Sequence, residues 1–146
     1  MEIYFSPKDK PAGRILELIQ GAKESINFLA YSFTSKDLGG AMMERAMAGV
    51  RVAGVMDDGQ VKTSQANEYG PFTQAGLGVR LDGNLNGLMY HKVIIIDQKI
   101  VITGSYNFTE VAETTNDENV VIIFSPKVAA SYMDEFQRVY RQAQLP

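Results

Sequence analysis

Apolar residues follow two spacings that take turns along the chain. Short, mostly apolar segments occur at 1–5, 25–33, 50–56, 79–81, 89–97, 100–103 and 118–124. Between them, apolar residues recur every three or four positions, most clearly at Ile15, Leu18, Ile19 and Ala22. The first pattern predicts strands buried in a sheet, and the second predicts helices with one buried face. We therefore expect an α/β sandwich, with helices on both faces of a central sheet.

Local signals predict where several of these elements end. The second helix is expected to begin at Thr34 or Ser35 and to end at Gly49, and the last helix is expected to begin at 125–127. Residues 98–99 form a predicted tight turn that joins two strands as a hairpin. Because a hairpin is antiparallel, the predicted sheet is mixed, although largely parallel.

A polar stretch interrupts this pattern at 57–70. It begins at the carboxyl end of a predicted strand, which is where open α/β sheets bind ligands. We expect a loop followed by a helix that ends near residue 75. A second short helix is expected near 108–113.

The composition narrows the class of protein. The chain has 146 residues, of which 45% are hydrophobic, and this predicts one globular domain over residues 1–146. It has no cysteine and one histidine, which excludes thiol catalysis and makes a zinc site improbable. No apolar run approaches the roughly 18 residues that span a bilayer, so no stable membrane insertion is expected. The formal charge is −3, so any contact with a polyanion must be local or built by joining subunits.

The densest chemistry lies between 89 and 118. On a strand, alternate side chains share a face, so Tyr90 and Lys92 are predicted to point one way and His91 the other. Lys92 is then a cation that an anion can reach. The alternative is a lysine at a strand end whose ammonium group simply extends into water.

Gly104, Ser105 and Asn107 lie between a predicted strand and a predicted short helix. Backbone N–H groups at a helix N-terminus bind phosphate, and Ser105 and Asn107 add side-chain donors. Either side chain is equally suited to capping the helix. Glu118, at the start of a strand, is suited to orienting a neighbouring imidazole or ammonium group, or it is an ordinary acid at a strand edge.

The order Lys92-x4-Asp97, Gly104-Ser105-x-Asn107 and Glu118 resembles the HxKxxxxD-x6-GSxN signature of the phospholipase D superfamily. The similarity is greatest to small bacterial endonucleases that carry one copy of the motif. It covers nearly the whole chain and includes the flanking segments 30–35 and 104–122.

The resemblance implies a metal-independent phosphodiesterase without a cofactor. In the family, two copies of the motif form one site, where one histidine attacks phosphorus to give a phosphohistidine and the other protonates the leaving oxygen. A chain with one copy implies a two-fold homodimer with its active site at the interface. The resemblance assigns phosphate binding to Lys92, Ser105 and Asn107. It makes Glu118 the residue that orients position 90, and Asp97 a structural support.

The chain departs from the signature where the family has its nucleophilic histidine, because position 90 is tyrosine. Phenol titrates on the order of 3.5 pH units above imidazole, so Tyr90 is a weak nucleophile at neutral pH. His91 is one residue out of register and is predicted to face the opposite side. We expect most activity to be lost. The alternatives are a tyrosine nucleophile activated by paired lysines, or a bulge that brings His91 into the site.

The leading hypothesis is therefore an endonuclease scaffold for DNA or RNA that is impaired at position 90. The first alternative is a phosphate- or nucleic-acid-binding module without catalysis. The second is a phosphodiesterase for phospholipids of the cardiolipin type, and a purely structural dimer module ranks last. The resemblance and the absence of signal-peptide features in the first residues lead us to expect a bacterial protein of the cytoplasm or periplasm.

Overall fold

A computed structural model describes residues 1–143, which form seven strands and six helices. The strands are β1 (Glu2–Ser6), β2 (Ser25–Ala30), β3 (Arg51–Met56), β4 (Gly78–Leu81), β5 (Lys92–Ile96), β6 (Ile100–Gly104) and β7 (Glu118–Phe124). The helices are α1 (Ala12–Gln20), α2 (Lys36–Met47), α3 (Asp58–Thr63), α4 (Tyr69–Gln74), α5 (Glu110–Thr114) and α6 (Pro126–Gln142). No helix in this range is long and apolar enough to cross a membrane.

The strands form one mixed sheet in the order β1-β7-β6-β5-β2-β3-β4, which confirms the predicted α/β class. The expectation that the sheet is largely parallel is wrong. Only β2–β3 and β3–β4 are parallel neighbours, and the other four pairs are antiparallel. The reason is that β5, β6 and β7 follow one another as a meander, and β1 then pairs with its outer edge.

Alternating side chains divide the interior into two cores. Ile94 and Ile96 of β5 face the first core, which α1, α2, α4 and α5 cover. Val93 and Ile95 face the second core, which α6 covers with Phe136 and Val139. The sheet is therefore buried on both faces at its centre, as the continuous apolar run in β5 predicts.

Four phenylalanines form the centre of the first core. Phe33 is the hub, because its ring lies 5.4 Å from Phe28, 5.2 Å from Phe72 and 5.3 Å from Phe108 between centroids. All four side chains are fully buried. Phe33 also forms an isolated bridge with Phe108, so this cluster ties the segment after β2 to the segment after β6.

Several elements begin or end elsewhere than predicted. The polar stretch after β3 begins with the short helix α3 instead of the predicted loop, because the Asp57 carboxylate accepts a hydrogen bond from the Gln60 amide and caps this helix. The strand β5 begins at Lys92 rather than at Met89. The segment before it remains close to β2, since the Tyr31 amide donates to the His91 carbonyl over 2.9 Å.

Two glycines provide a matched test of this packing. A Cβ at Gly54 collides with the ring of Phe28, whereas a Cβ at Gly40, inside α2, meets nothing within 4 Å. We expect Gly54→Ala to lower the free energy of unfolding by about 1–3 kcal/mol through overpacking. Gly40→Ala should raise it by up to about 1 kcal/mol, since alanine is the better helix former. Urea denaturation measures both, and equal effects of the two substitutions would contradict the packing described.

Candidate active site

The residues singled out in the sequence meet at one edge of the sheet, with one exception. Lys92 opens β5, Gly104 closes β6, and Glu118 opens β7. Because β6 is antiparallel to both of its neighbours, these three ends lie side by side. The carboxyl ends of β2 and β3 reach the same edge, since Ala30 pairs with both Met56 and Lys92.

At this edge an aromatic pair surrounds the Lys92 ammonium group. The Lys92 Nζ atom lies 3.2 Å from the centroid of the Tyr90 ring and 5.6 Å from that of Tyr31. The two rings meet edge to face with centroids 4.6 Å apart. The Tyr31 hydroxyl accepts a hydrogen bond of 2.9 Å from the Gln60 side chain. Tyr90 therefore lies directly against the cation, and 59% of its surface remains exposed.

His91 points away from this cluster, as strand alternation predicts. Its Nε2 atom lies 2.7 Å from Glu135 Oε2 on α6, across the opposite face of the sheet. Arg138 holds the same carboxylate through two bonds of 2.8 Å. The hydrogen bonds from Arg138 outweigh partial burial and, with that from His91, lower the pKa of Glu135 to about 2. No bulge brings the imidazole to the position of Tyr90.

Ser105 and Glu118 form a second group at the same edge. The Ser105 hydroxyl donates to Glu118 Oε1 over 2.6 Å and accepts from the Asn119 amide over 3.0 Å. The other oxygen of Glu118 accepts from the Asn116 side chain. No hydrogen bond joins Glu118 to Tyr90 among residues 1–143. Within the described chain, Glu118 therefore orients Ser105 and not the side chain at position 90.

The segment 104–107 lacks the predicted helix N-terminus. Helix α5 begins only at Glu110 and is capped by the Thr109 hydroxyl, so neither Ser105 nor Asn107 acts as its cap. The reason is that Phe108 lies beside the segment that follows β2, where it bridges Phe33, so the helix begins only after it. Within the described range, Asn107 Oδ1 is buried and has no hydrogen-bond partner.

Position 104 requires glycine for two reasons, which are its backbone conformation and the close approach of the neighbouring strand. Its φ is +145°, a conformation that residues with a Cβ rarely adopt. A Cβ there collides with the backbone carbonyl of Asn119 on β7. The same carbonyl accepts the Ser105 amide over 3.1 Å, so the glycine allows Ser105 to approach β7 and reach Glu118.

Asp97 lies at the opposite end of β5 and does not reach the site. Its carboxylate accepts backbone hydrogen bonds from Lys23, Glu24 and Ser25, over distances of 2.7–3.1 Å. Burial opposes ionisation, but the bonds from Glu24, Ser25 and Lys23 outweigh it and lower the pKa of Asp97. The residue fastens the turn before β2 to the end of β5, which fits the support role that its place in the motif implies.

The groups that hold the rim of the site were not predicted from the sequence. Gln60 of α3 supports the aromatic pair by donating a hydrogen bond to the hydroxyl of Tyr31, which directly follows β2. The buried Asp57 carboxylate accepts the Met89 amide over 3.0 Å and so fixes the residue before Tyr90. Asp82 accepts the Asp58 amide over 2.6 Å. The sequence does carry a signal for the two acids, since Asp57 directly follows β3 and Asp82 directly follows β4. Because the carboxyl ends of parallel strands share an edge of the sheet, these two acids are expected to lie at the same edge.

Comparison with known proteins assigns the family. The family model described as "Cardiolipin synthase, PLD-like domain" matches residues 15–140. The chain belongs to the phospholipase D superfamily. The phospholipase D family member Nuc from Salmonella typhimurium superposes with a TM-score of 0.91 at 35% identity, over 99% of this chain and 96% of that one. The predicted resemblance and the α/β fold are therefore confirmed.

Two relatives of this chain carry different names. A mitochondrial cardiolipin hydrolase from Chlamydomonas reinhardtii is 33% identical over 93% of this chain and 60% of its own length. A phospholipase D from Rickettsia prowazekii is 36% identical over 90% of this chain and 63% of its own length. The chain thus spans less than two thirds of the length of either relative.

These relatives correct one expectation. The hypothesis of a bacterial protein in the cytoplasm or periplasm is wrong, because the matching proteins include mitochondrial cardiolipin hydrolases of eukaryotes. The bacterial hypothesis came from resemblance to one bacterial group. The sequence pattern of the superfamily reports a site and a fold, and both occur in proteins from more than one kind of cell.

Asp97→Asn tests the support role. Asparagine keeps the shape and tolerates the positive φ of 54° at this position, but it removes the charge. We expect the free energy of unfolding to fall by about 2 kcal/mol at neutral pH, which is typical of hydrogen bonds to a charged acceptor. Because the folded pKa is lowered, this difference should persist above the unfolded pKa and disappear as pH falls through the folded one.

Chemical denaturation at several pH values measures this difference. Asp134→Asn is the matched control, since Asp134 is exposed on α6. A loss at Asp97 that is independent of pH, or equal to that of the control, would contradict the role.

Proposed function

We propose that this chain is the scaffold of a metal-independent nuclease whose phosphodiester site is shared by two copies of the chain and impaired by Tyr90. One observation carries the proposal. Tyr90 stands beside Lys92 at the site edge, while the only histidine of the sequence is held on the other face by Glu135. The site therefore has phosphate-binding groups without an imidazole at the place of attack.

Three side chains are suited to holding the phosphate. Lys92 supplies a positive charge, and Ser105 supplies a hydroxyl positioned by Glu118 and Asn119. Asn107 supplies an amide whose oxygen is buried without a partner in the described range. A phosphodiester offers only acceptor oxygens, so Asn107 is suited to contact it through its amide N–H donors and not through this oxygen.

A second copy of the chain supplies what one copy lacks. The family chemistry needs two reactive side chains at position 90, and each protomer has one. Tyr90 is 59% exposed at the sheet edge, so its counterpart can approach it across a two-fold axis. Two Lys92 ammonium groups then meet at one site. This local charge compensates for the net charge of −3 on each chain.

With tyrosine at position 90 the reaction loses its nucleophile and its acid. In the proposed active form, one imidazole attacks phosphorus, the bond from phosphorus to the leaving oxygen breaks, and the counterpart imidazole protonates that oxygen. Water then attacks the phosphohistidine, gives up a proton to the counterpart imidazole and releases the phosphate. Phenol is mostly protonated at neutral pH and is a poor nucleophile. The Lys92 ammonium group also makes a cation–π contact with the Tyr90 ring. The ring is therefore a partner of the ammonium group in addition to the proposed phosphate.

A phospholipid substrate is the second candidate function. Leu85 and Leu88 precede Tyr90 and are 87% and 56% exposed, so apolar surface borders the site. Relatives named cardiolipin hydrolase and phospholipase D share the family. We place nucleic acid first because the motif and its flanking segments resemble the small single-motif endonucleases most. A binding module without catalysis remains the outcome if no substitution at position 90 yields hydrolysis.

Tyr90→His is the decisive substitution. We expect it to raise phosphodiester hydrolysis at least about 100-fold, because general acid–base catalysis contributes 10²–10⁴-fold. The assays measure the nicking of a plasmid and the release of the chromophore from a chromogenic phosphodiester, both with a chelator present. Lys92→Gln in the same background should abolish the gain.

His91→Gln in the Tyr90→His background is the matched control, because His91 faces α6 and should not affect the rate. Absence of hydrolysis on every substrate would contradict the nuclease scaffold and favour the binding module. Hydrolysis of cardiolipin in mixed micelles without nicking of DNA or RNA would favour the second candidate. Appreciable hydrolysis by the unmodified chain, lost in Tyr90→Phe, would instead indicate a tyrosine nucleophile.

A further inference from the structure

The buried carboxylate of Asp57 holds two segments of the site at once. Asp57 directly follows β3, and 3% of its surface is exposed. Its Oδ1 atom accepts a hydrogen bond of 3.0 Å from the Met89 amide. Its Oδ2 atom accepts a hydrogen bond of 3.0 Å from the Gln60 amide, in the first turn of α3. One side chain therefore joins the residue before position 90 to the helix beside the site.

The backbone around position 90 depends on few hydrogen bonds, because β5 and its ladder begin two residues later. Among residues 1–143, the backbone of 89–91 makes two hydrogen bonds. The Met89 amide donates to Asp57, and the His91 carbonyl accepts from the Tyr31 amide over 2.9 Å. Without the bond to Asp57, the backbone at position 90 would be held from one side.

A second route leads from Asp57 to position 90 through the aromatic pair. Because Asp57 caps α3 at the Gln60 amide, it fixes the turn that carries the Gln60 side chain. That side chain donates to the Tyr31 hydroxyl over 2.9 Å, and the Tyr31 ring meets the Tyr90 ring edge to face. The same carboxylate therefore acts on position 90 through the backbone and through a neighbouring ring.

We propose that Asp57 is a positioning residue, which holds the side chain at position 90 in the place from which it attacks phosphorus. This inference rests on the proposed function and adds a residue to it. Displacing an attacking group by about 1 Å costs on the order of 100-fold in rate. Lys92 and Ser105 are held by other contacts, the first by β5 and the second by Glu118. Loss of the Asp57 carboxylate should therefore slow the attack and leave the binding of the phosphate unchanged.

Asp57→Ser separates this role from simple helix capping, because serine caps helices as well as aspartate does. Its one oxygen replaces Oδ2 at the cap, and no atom takes the place of Oδ1 at the Met89 amide. In the Tyr90→His background, we expect kcat on a chromogenic phosphodiester to fall on the order of 10- to 100-fold, with KM unchanged. Ser125→Ala is the control, since it removes the cap of α6 at the opposite edge of the sheet and should leave kcat unchanged.

A second measurement does not depend on activity. Hydrogen exchange followed by NMR in the Tyr90→His chain and in the unmodified chain reports on the Met89 amide directly. Asp57→Ser should make this amide exchange about 10-fold faster, as expected for the loss of one hydrogen bond. Ser125→Ala should leave its exchange unchanged.

Exchange of the Met89 amide that Asp57→Ser leaves unchanged would overturn the inference, and so would faster exchange with an unchanged kcat. Equal losses of kcat in Asp57→Ser and Ser125→Ala would also overturn it, because they would reflect a loss of folding stability alone. If the Tyr90→His chain shows no hydrolysis, the proposed function fails and this inference fails with it. If that chain hydrolyses the substrate and Asp57→Ser has no effect, this inference alone fails.

Discussion

The alternation of side chains along residues 90–96 is the constraint on which the rest of the structure depends. It sends Ile94 and Ile96 into one core and Val93 and Ile95 into the other, so a single strand fastens both helical layers to the sheet. The same alternation continues beyond the strand. It places the residues at 90 and 92 on one side and His91 on the other, where Glu135 holds it. A histidine one position out of register therefore cannot replace the missing one without unpacking the centre of the protein.

Because of this constraint, the side chains suited to binding a phosphate are present without a histidine beside them. The groups suited to a phosphate remain, with Ser105 positioned by Glu118 and with Lys92 at the sheet edge. The side chain suited to attacking phosphorus is replaced by one that lies against the Lys92 ammonium. The chain is thus a member of the phospholipase D superfamily that has the fold of the family and carries tyrosine at position 90.

Much of this arrangement could be predicted from local patterns. The strands, the longer helices and the opposite orientation of Tyr90 and His91 all follow from spacing. The sheet order could not be predicted, because strand neighbours such as β2 and β5 are joined by contacts between residues about 70 positions apart, such as Ile26 and Ile96. The start of α5 was misplaced for a similar reason, since the long-range bridge between Phe33 and Phe108 keeps the preceding residues extended. Tyr31 and Gln60 were missed because their contact forms only when β2 and β3 lie side by side.

The central claim is that two copies of position 90 serve one site. The most direct measurement mixes Tyr90→His chains with unmodified chains in varying proportions, allows the subunits to exchange, and follows hydrolysis of a phosphodiester. If both imidazoles are needed at one shared site, activity per His-bearing chain should fall in proportion to the fraction of such chains, so total activity follows the square of that fraction. Total activity that is linear in the fraction would show that each chain works alone, and would contradict the shared site.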